Sequence, residues 1–249
     1  MMRHVSRRSQ LVGVGLVTLL AGLVMVANLS VTTLQGVNFE VTTHRLPLYV
    51  KTIEFLDRHV QYRQLADEIT RGVVTDEGRI LAVFNWTTRN IRPTPDGWPV
   101  VDDHILNIVI RGHGLADQRA DVFATITTYA GVRTFWYKVR APGAKGGLIL
   151  SFARLGERWV VIDVAHGFVF RTAGGAMATA EDIAANPALL PADARSLMVG
   201  STPYRLVFDS LRTPPIPRLL RAELQMPWAR LWYETRRTVG LERDNGSER

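Results

Sequence analysis

The stretch Ile110-Arg-Gly-His-Gly-Leu-Ala-Asp-Gln-Arg-Ala-Asp-Val-Phe-Ala-Thr-Ile-Thr-Thr-Tyr-Ala-Gly131 decides how the rest of the chain is read. Gly112 and Gly114 punctuate a loop, and no glycine or proline then interrupts the chain until Gly131. The segment therefore predicts a glycine loop feeding a helix that starts near Ala116. Asp117 falls in the first turn, where a carboxylate complements the positive end of the helix dipole.

Upstream the pattern is helical. From Pro47, the residues Tyr49, Ile53, Leu56 and Val60 recur at helical spacing, with Lys51, Glu54 and Arg58 on the other side. Leu65 and Ile69 resume that spacing out of phase, which predicts a bend or break near Gln61 to Gln64 and an end around Gly72. Thr75 or Asp76 caps the next helix, in which Ile80, Phe84, Thr87 and Ile91 share a face; Pro93, Pro95 and Gly97 end it. Asp102 or Asp103 is expected to cap a short helix from His104 to Ile110.

Downstream the signal changes to short apolar runs and period two: Thr134 to Val139, Leu148 to Ala153, Trp159 to Asp163 and Phe168 to Phe170. Pro142-Gly143, Gly146-Gly147, Gly156 and Gly167 supply the breaks, and Gly156-Glu157-Arg158 reads as a hairpin turn. Residues 180–198 read as two short helices around Pro191. Helices followed by a meander give an α+β fold, helices packed on an antiparallel sheet.

The first residues carry Arg3, Arg7 and Arg8, and from Leu11 to Leu29 only Thr18 and Asn28 break an apolar or small-residue run. Such a run can cross a hydrocarbon core about 30 Å thick. The arginines precede it and the next charges are Glu40 and Arg45, so the positive-inside bias leaves the N-terminus in the cytoplasm and sends the rest across the inner membrane. A cleaved signal peptide is the alternative; the run is long for one and no Ala-x-Ala follows. The expected organisation is a cytoplasmic N-terminus over 1–10, a transmembrane signal anchor over 11–29, a linker over 30–46, an extracytoplasmic domain over 47–200 and an amphipathic arm over 201–249. Within the linker, Val37 to Thr43 alternates as a strand does.

A net charge of +7 and a pI near 10.2 admit nucleic acid, anionic lipid or an acidic polymer as partners. The arginines are interleaved with acids, as in Asp57-Arg58, Asp117 with Arg119, and Glu234 with Arg236, a pattern of solvated surface with no nucleic-acid partner expected. The chain has no cysteine, which excludes disulfides, thiolate metal sites and a lipoprotein anchor.

The glycine loop and helix, with the register Gly112, Gly114, Ala116, Gln118 and Ala120, and the strand pair ending Trp159-Val-Val-Ile-Asp163, resemble the transglutaminase-like (papain-related) superfamily over roughly residues 76–185. That family reads Gly-x-Gly-x-Cys-x-Asp-x-Ala at its nucleophile, then His-x-Trp-x-Glu-Val and Gly-x-Trp-x-x-x-Asp on two strands. The resemblance puts Ala116 at the cysteine, Leu148 at the histidine and Asp163 at the orienting acid. Two members of the thiol triad are thus replaced, which implies a pseudoenzyme without cofactor or metal. The segment from Asp102 to Gly114, followed by Asp117-Gln118, further resembles a cysteine-free branch found in membrane-anchored bacterial proteins near surface-polysaccharide synthesis. It implies a retained groove, with Asp102, Asp103, His104, His113, Asp117, Gln118 and Trp159 as candidates, that binds a glycan, a peptide or an envelope protein.

The alternative is an active extracytoplasmic hydrolase or transferase with an unorthodox site, built from Asp163, His104 or His113 and a serine. Ser151 with His166 is one such pair, and it requires the hydroxyl within hydrogen-bond reach of the ring. The bland readings are a strand serine, a packed His113 and capping aspartates. No His-Glu-x-x-His, calcium loop, phosphate loop or Gly-x-Ser-x-Gly elbow occurs. From Pro215 the arm alternates apolar residues (Leu220, Leu224, Trp228, Leu231, Val239) with arginines, and Pro227 is expected to kink or split it. Such an arm suits a lipid interface or a helix clamped on its own domain.

Overall fold

The computed structural model describes residues 7–102, 104–140, 147–200, 202–209 and 211–238, with the side chains of 7–11, 195 and 238 left aside. The first helix, α1 (Arg7–Ala27), leaves Val12, Leu16, Leu19, Leu23 and Val26 exposed. Among the described residues no helix is long and apolar enough to cross a membrane. The run expected to span begins at Leu11, whose side chain lies outside the described ones.

The segment read as a linker is a complete hairpin. Strands β1 (Ser30–Val37) and β2 (Glu40–Pro47) pair antiparallel along their whole length, from Ser30 with Pro47 to Val37 with Glu40. The expected strand from Val37 to Thr43 is therefore broken by a turn at Asn38 and Phe39, with φ of 50° and 67°. Positive φ at both central positions matches the twist of the flanking strands. Phe39 is an unusual occupant, and the turn is fixed from outside: the Asn38 N–H donates to Val100 O at 2.7 Å, and the Val100 N–H to Asn38 Oδ1 at 2.9 Å.

Helix α2 (Leu48–Ile69) follows Pro47 without the expected break. Its two apolar stripes need not share a face, because only the second enters the core. Tyr62 and Ala66 are buried and Leu65 and Ile69 pack on the core, whereas Tyr49, Ile53, Leu56 and Val60 are exposed. Helix α3 (Asp76–Asn90) begins as its sequence predicts, with the Gly78 N–H donating to Thr75 Oγ1 at 3.1 Å. Its stripe of Ile80, Phe84 and Thr87, continued by Ile91, is buried.

Between α3 and the central helix the chain makes β3 (Arg92–Pro93), β4 (Val101–Asp102), the short α4 (Ile105–Arg111) and β5 (His113–Gly114). β3 pairs in parallel with β5, and β4 adds to the edge of β1. The expected aspartate cap on α4 is not what the structure contains. Asp102 is engaged in β4, Asp103 lies outside the described residues, and the N-cap is His104, with no side-chain cap hydrogen bond. Gly112 closes α4 at φ +68°, a conformation glycine adopts without steric cost.

Helix α5 (Ala116–Tyr129) is the hub. Every residue from Gln118 to Thr128 is buried, and α2, α3 and α4 pack around it. The antiparallel meander β6 (Thr134–Val139), β7 (Leu148–Leu155), β8 (Arg158–Asp163) and β9 (Phe168–Val169) covers its remaining side in sequential order. Ala153 of β7 and Val160 and Ile162 of β8 join Val122, Phe123 and Ile126 of α5 in the first core. Burying each of the valine, isoleucine and phenylalanine side chains contributes about 1.5–3 kcal/mol. The alternate residues Leu148, Leu150, Phe152 and Val161 face the other way, into a second core.

That second core is covered by the chain after β9. It contains α6 (Ala180–Ala185), 3₁₀ turns at Pro187–Leu189 and Ala192–Ser196, the small ladder of β10 (Met198–Val199) with β11 (Thr202–Pro203), and α7 (Tyr204–Phe208). Tyr204, Val207, Phe208, Leu211 and Leu220 are all buried there. Pro227 does not kink a longer helix. A 3₁₀ turn at Glu223–Gln225 precedes it, and Pro227 opens α8 (Pro227–Thr238), the one helical position where its missing N–H costs nothing. The result is an α+β domain with an antiparallel sheet between a helical layer and a C-terminal layer.

Candidate functional site

Two clusters of polar groups stand out, one at the first turns of α5 and one at the end of β8. The first is a cleft of about 30 Å3, room for little more than a water, lined by Asp102, Ile108, Asp117, Gln118, Asp121, Trp136 and Arg221. Gln118 organises its floor. The Leu115 N–H donates to Gln118 Oε1 at 3.1 Å and Gln118 Nε2 donates to Val101 O at 2.7 Å, so one amide joins the loop before α5 to β4. Arg111 adds donations to Gln118 Oε1 at 3.2 Å and Val101 O at 3.0 Å. The Gln118 N–H donates to Asp117 Oδ1 at 2.9 Å, so Asp117 serves the helix start as its position predicts. Asp121 is buried, accepting from Trp136 Nε1 at 3.2 Å and paired with Arg221 at 3.0 Å. Burial pushes its carboxyl above the usual range, and Arg221 and Trp136 oppose that shift.

The second cluster gathers at Asp163, the last residue of β8, which is fully buried on the second-core face. The His166 N–H donates to Asp163 Oδ1 at 3.0 Å, and the His166 ring meets Oδ2 through Nδ1 at 2.8 Å. Tyr204 Oη donates to the same Oδ2 at 2.7 Å from the start of α7. The hydrogen bond to Asp163 holds the partly exposed imidazole above its usual 6.5, against the opposing effect of burial. Burial, followed by the Asp163 charge, pushes the Tyr204 hydroxyl far above its ordinary range, so it stays a donor. The His166 ring also lies 5.5 Å from that of Tyr204 and 6.4 Å from that of Phe168. Arg119 seals the neighbourhood, donating from Nε to Ile91 O at 2.9 Å and from a guanidinium NH to Ala165 O at 2.8 Å.

The sequence-derived candidates divide between these places and others. Asp102, Asp117 and Gln118 meet in the cleft. His113 sits apart, its ring 5.2 Å from that of Trp98 and 3.4 Å from Thr94 Oγ1, in the packing role expected of it. His104 is exposed at the start of α4, and Asp103 lies outside the described residues. Trp159 packs edge-on against Phe135 on the far side of the sheet from α5. Ala116 is exposed as the first residue of α5, Leu148 is buried in the second core, and Asp163 shares the Leu148 face of the sheet.

Ser151 does not meet His166. It is paired across the ladder with Ile162, which turns it towards α5, and its buried hydroxyl has no hydrogen-bond partner. Trp136, Tyr204 and Arg221 are the functional-site residues that the sequence gives no reason to choose. Arg119 reads from the sequence as a solvated charge and Asp121 as a carboxylate one turn from Asp117, and both are buried. Both lie in the polar first half of α5, so nothing in the local pattern separates them from a solvated helix start. Among the described residues, no three histidine or acidic side chains come together as a metal site.

No family model and no curated protein matches the chain in sequence. Two solved structures are similar to part of it. One is a candidate protease of Parabacteroides distasonis ATCC 8503, 11% identical over 41% of this chain and 23% of that one, with a TM-score of 0.36. The other is a candidate cysteine protease of Cytophaga hutchinsonii, 12% identical over 42% of this chain and 37% of that one, with a TM-score of 0.36. The chain thus spans well under half the length of either.

Proposed function

We propose that this chain is a membrane-anchored, catalytically inert relative of the transglutaminase-like domains that binds or scaffolds a partner in the bacterial envelope, in surface-polysaccharide assembly. The observation that carries the reading is how Asp163 is used. In a thiol triad this acid orients a histidine that in turn faces a cysteine. Here no cysteine exists in the chain, the resemblance aligns Leu148 with the histidine although that side chain lies in the second core, away from Ala116, and the carboxylate is taken up by His166, three residues along its own turn, and by Tyr204. An acid used this way ties β8, the following turn and α7 together. The exposed apolar face of α1 beside Arg7 and Arg8 supports the anchor. In this reading an envelope protein, peptide or glycan is met by the surface around the Asp102–Gln118 cleft, which itself has room for little more than a water.

One observation favours the second reading, an active hydrolase. The Asp163–His166 pair is close, and the ring is a third exposed, so it could draw a proton from water. A single comparison separates the two. Purified full chain in detergent is assayed on peptide, ester and glycan substrates beside His166→Ala and Asp163→Asn. The inert reading expects no turnover that depends on either residue. Turnover that disappears in His166→Ala, in a variant with an unchanged circular dichroism spectrum, overturns it. For the address, a periplasm-dependent reporter fused after Arg249 is expected to be active, and activity only of a cytoplasmic reporter refutes the orientation.

A further inference from the structure

Helix α8 is about 18 Å long and carries its apolar residues on the outside of the fold. Trp228 is 81% exposed, Leu231 57% and Trp232 61%, three neighbours on one helical face turned away from the domain. The root of the helix is nevertheless held firmly. Tyr129 Oη donates to Gln225 O at 2.8 Å, and Arg133 pairs with Glu223 at 2.7 Å. These contacts fix the 3₁₀ turn from which α8 departs. A docked amphipathic helix ordinarily buries such a face, so something else must cover it.

The chemistry of α8 selects the cover. Arg230, Arg236 and Arg237 stand against a single acid, Glu234, in a chain of net charge +7. The Arg236 guanidinium lies over the Trp232 ring at 5.9 Å. Indole rings buried at headgroup depth, with arginine stems reaching to phosphates, are what a helix lying in a lipid interface presents. The bilayer is also close at hand in the anchored reading. The Leu48 N–H donates to Leu29 O at 2.8 Å, so the domain begins within one hydrogen bond of the end of the apolar run. We propose that α8 docks by its Trp228–Leu231–Trp232 face on the anionic phospholipid surface of the membrane that holds α1, as a second attachment. This rests on the anchored reading of the N-terminal helix.

The test uses the full chain reconstituted in phosphatidylcholine vesicles with about 30% phosphatidylglycerol, an anionic content that attracts basic segments. Tryptophan emission is read with phospholipids brominated near the top of the acyl chain. Trp228 and Trp232 are two of six tryptophans, so strong quenching is expected in the wild type and at least its halving in Trp228→Phe/Trp232→Phe. Substitution by phenylalanine keeps the helix and its apolar face, and a circular dichroism melt checks the fold. Quenching that is unchanged in the double variant overturns the proposal, and is also the outcome if a second copy of the chain or another protein covers the face. Alkaline carbonate washing separates the two levels. Release of the wild type refutes anchoring and this inference with it, whereas retention with unchanged quenching refutes this inference alone.

Discussion

Asp163 concentrates the chemistry of single residues. Its Oδ2 accepts from Tyr204, which is buried, and Tyr204→Phe removes that donor while leaving the ring in place. The expected cost is about 1–2 kcal/mol, read as a lowered urea midpoint with an unchanged slope. His166 behaves differently. Its folded-state pKa is raised above its unfolded value by Asp163, so its contribution is complete below pH 6.5 and is lost as the pH rises through the folded-state value. Stability of the wild type should therefore fall across that window relative to His166→Gln. Parallel curves from melts taken at several pH values would remove the imidazole from this role. The sequence marks Asp163 and His166 as candidates but not the Tyr204 contact. Tyr204 lies forty-one positions beyond Asp163, and nothing in its local pattern distinguishes it from other core aromatics.

Elements were more legible than the contacts between them. The cap at Thr75, the strand from Thr134 to Val139 and the turn at Gly156 are local events, set by residues within a few positions of one another. The hairpin was missed because its turn, Asn38-Phe39, lacks the glycine that advertises one and is held by Val100. The continuity of α2 was missed because apolar periodicity cannot say which half of a helix has a partner. The glycine loop carries a test at this scale. A Cβ on Gly114 would sit 3.1 Å from both Cβ and Oε1 of Gln118 and 3.2 Å from Ile108 Cγ2. Gly114→Ala should push Gln118 off Leu115 and Val101 and cost about 1–3 kcal/mol in chemical denaturation. Gln118→Ala should cost a similar amount, and the double variant less than the sum, because both act on the same amide.

Across the whole molecule, the C-terminal segment divides in two. Up to Ala222 it completes the second core, and from Pro227 it projects a helix. A chain ending at Met226 should melt close to the full-length protein. One ending at Thr202 should fail to fold, since it loses Tyr204, Phe208, Leu211 and Leu220, and removing even one large buried side chain costs about 2–5 kcal/mol. Equal melting of the two truncations would show the second core to be dispensable. The sequence separates these halves poorly, because both alternate apolar residues with arginine. Only the tertiary structure says which apolar residues have found company.

The hairpin after α1 has a mechanical consequence. Every position of β1 is paired with β2, and the far end of β1 is stitched to β4 at Gly36 and Val37. A free leash of that length would let the body wander and spin, whereas this ribbon, about 26 Å tall, acts as a mooring post. Because Ser30 pairs with Pro47 and Leu48 bonds Leu29, a tug on the N-terminal helix against α2 loads the open end of the ribbon first, while its far end stays tied to the strand beside the acidic cleft. The bearing of the cleft strand relative to the ribbon is thereby set by those pairs.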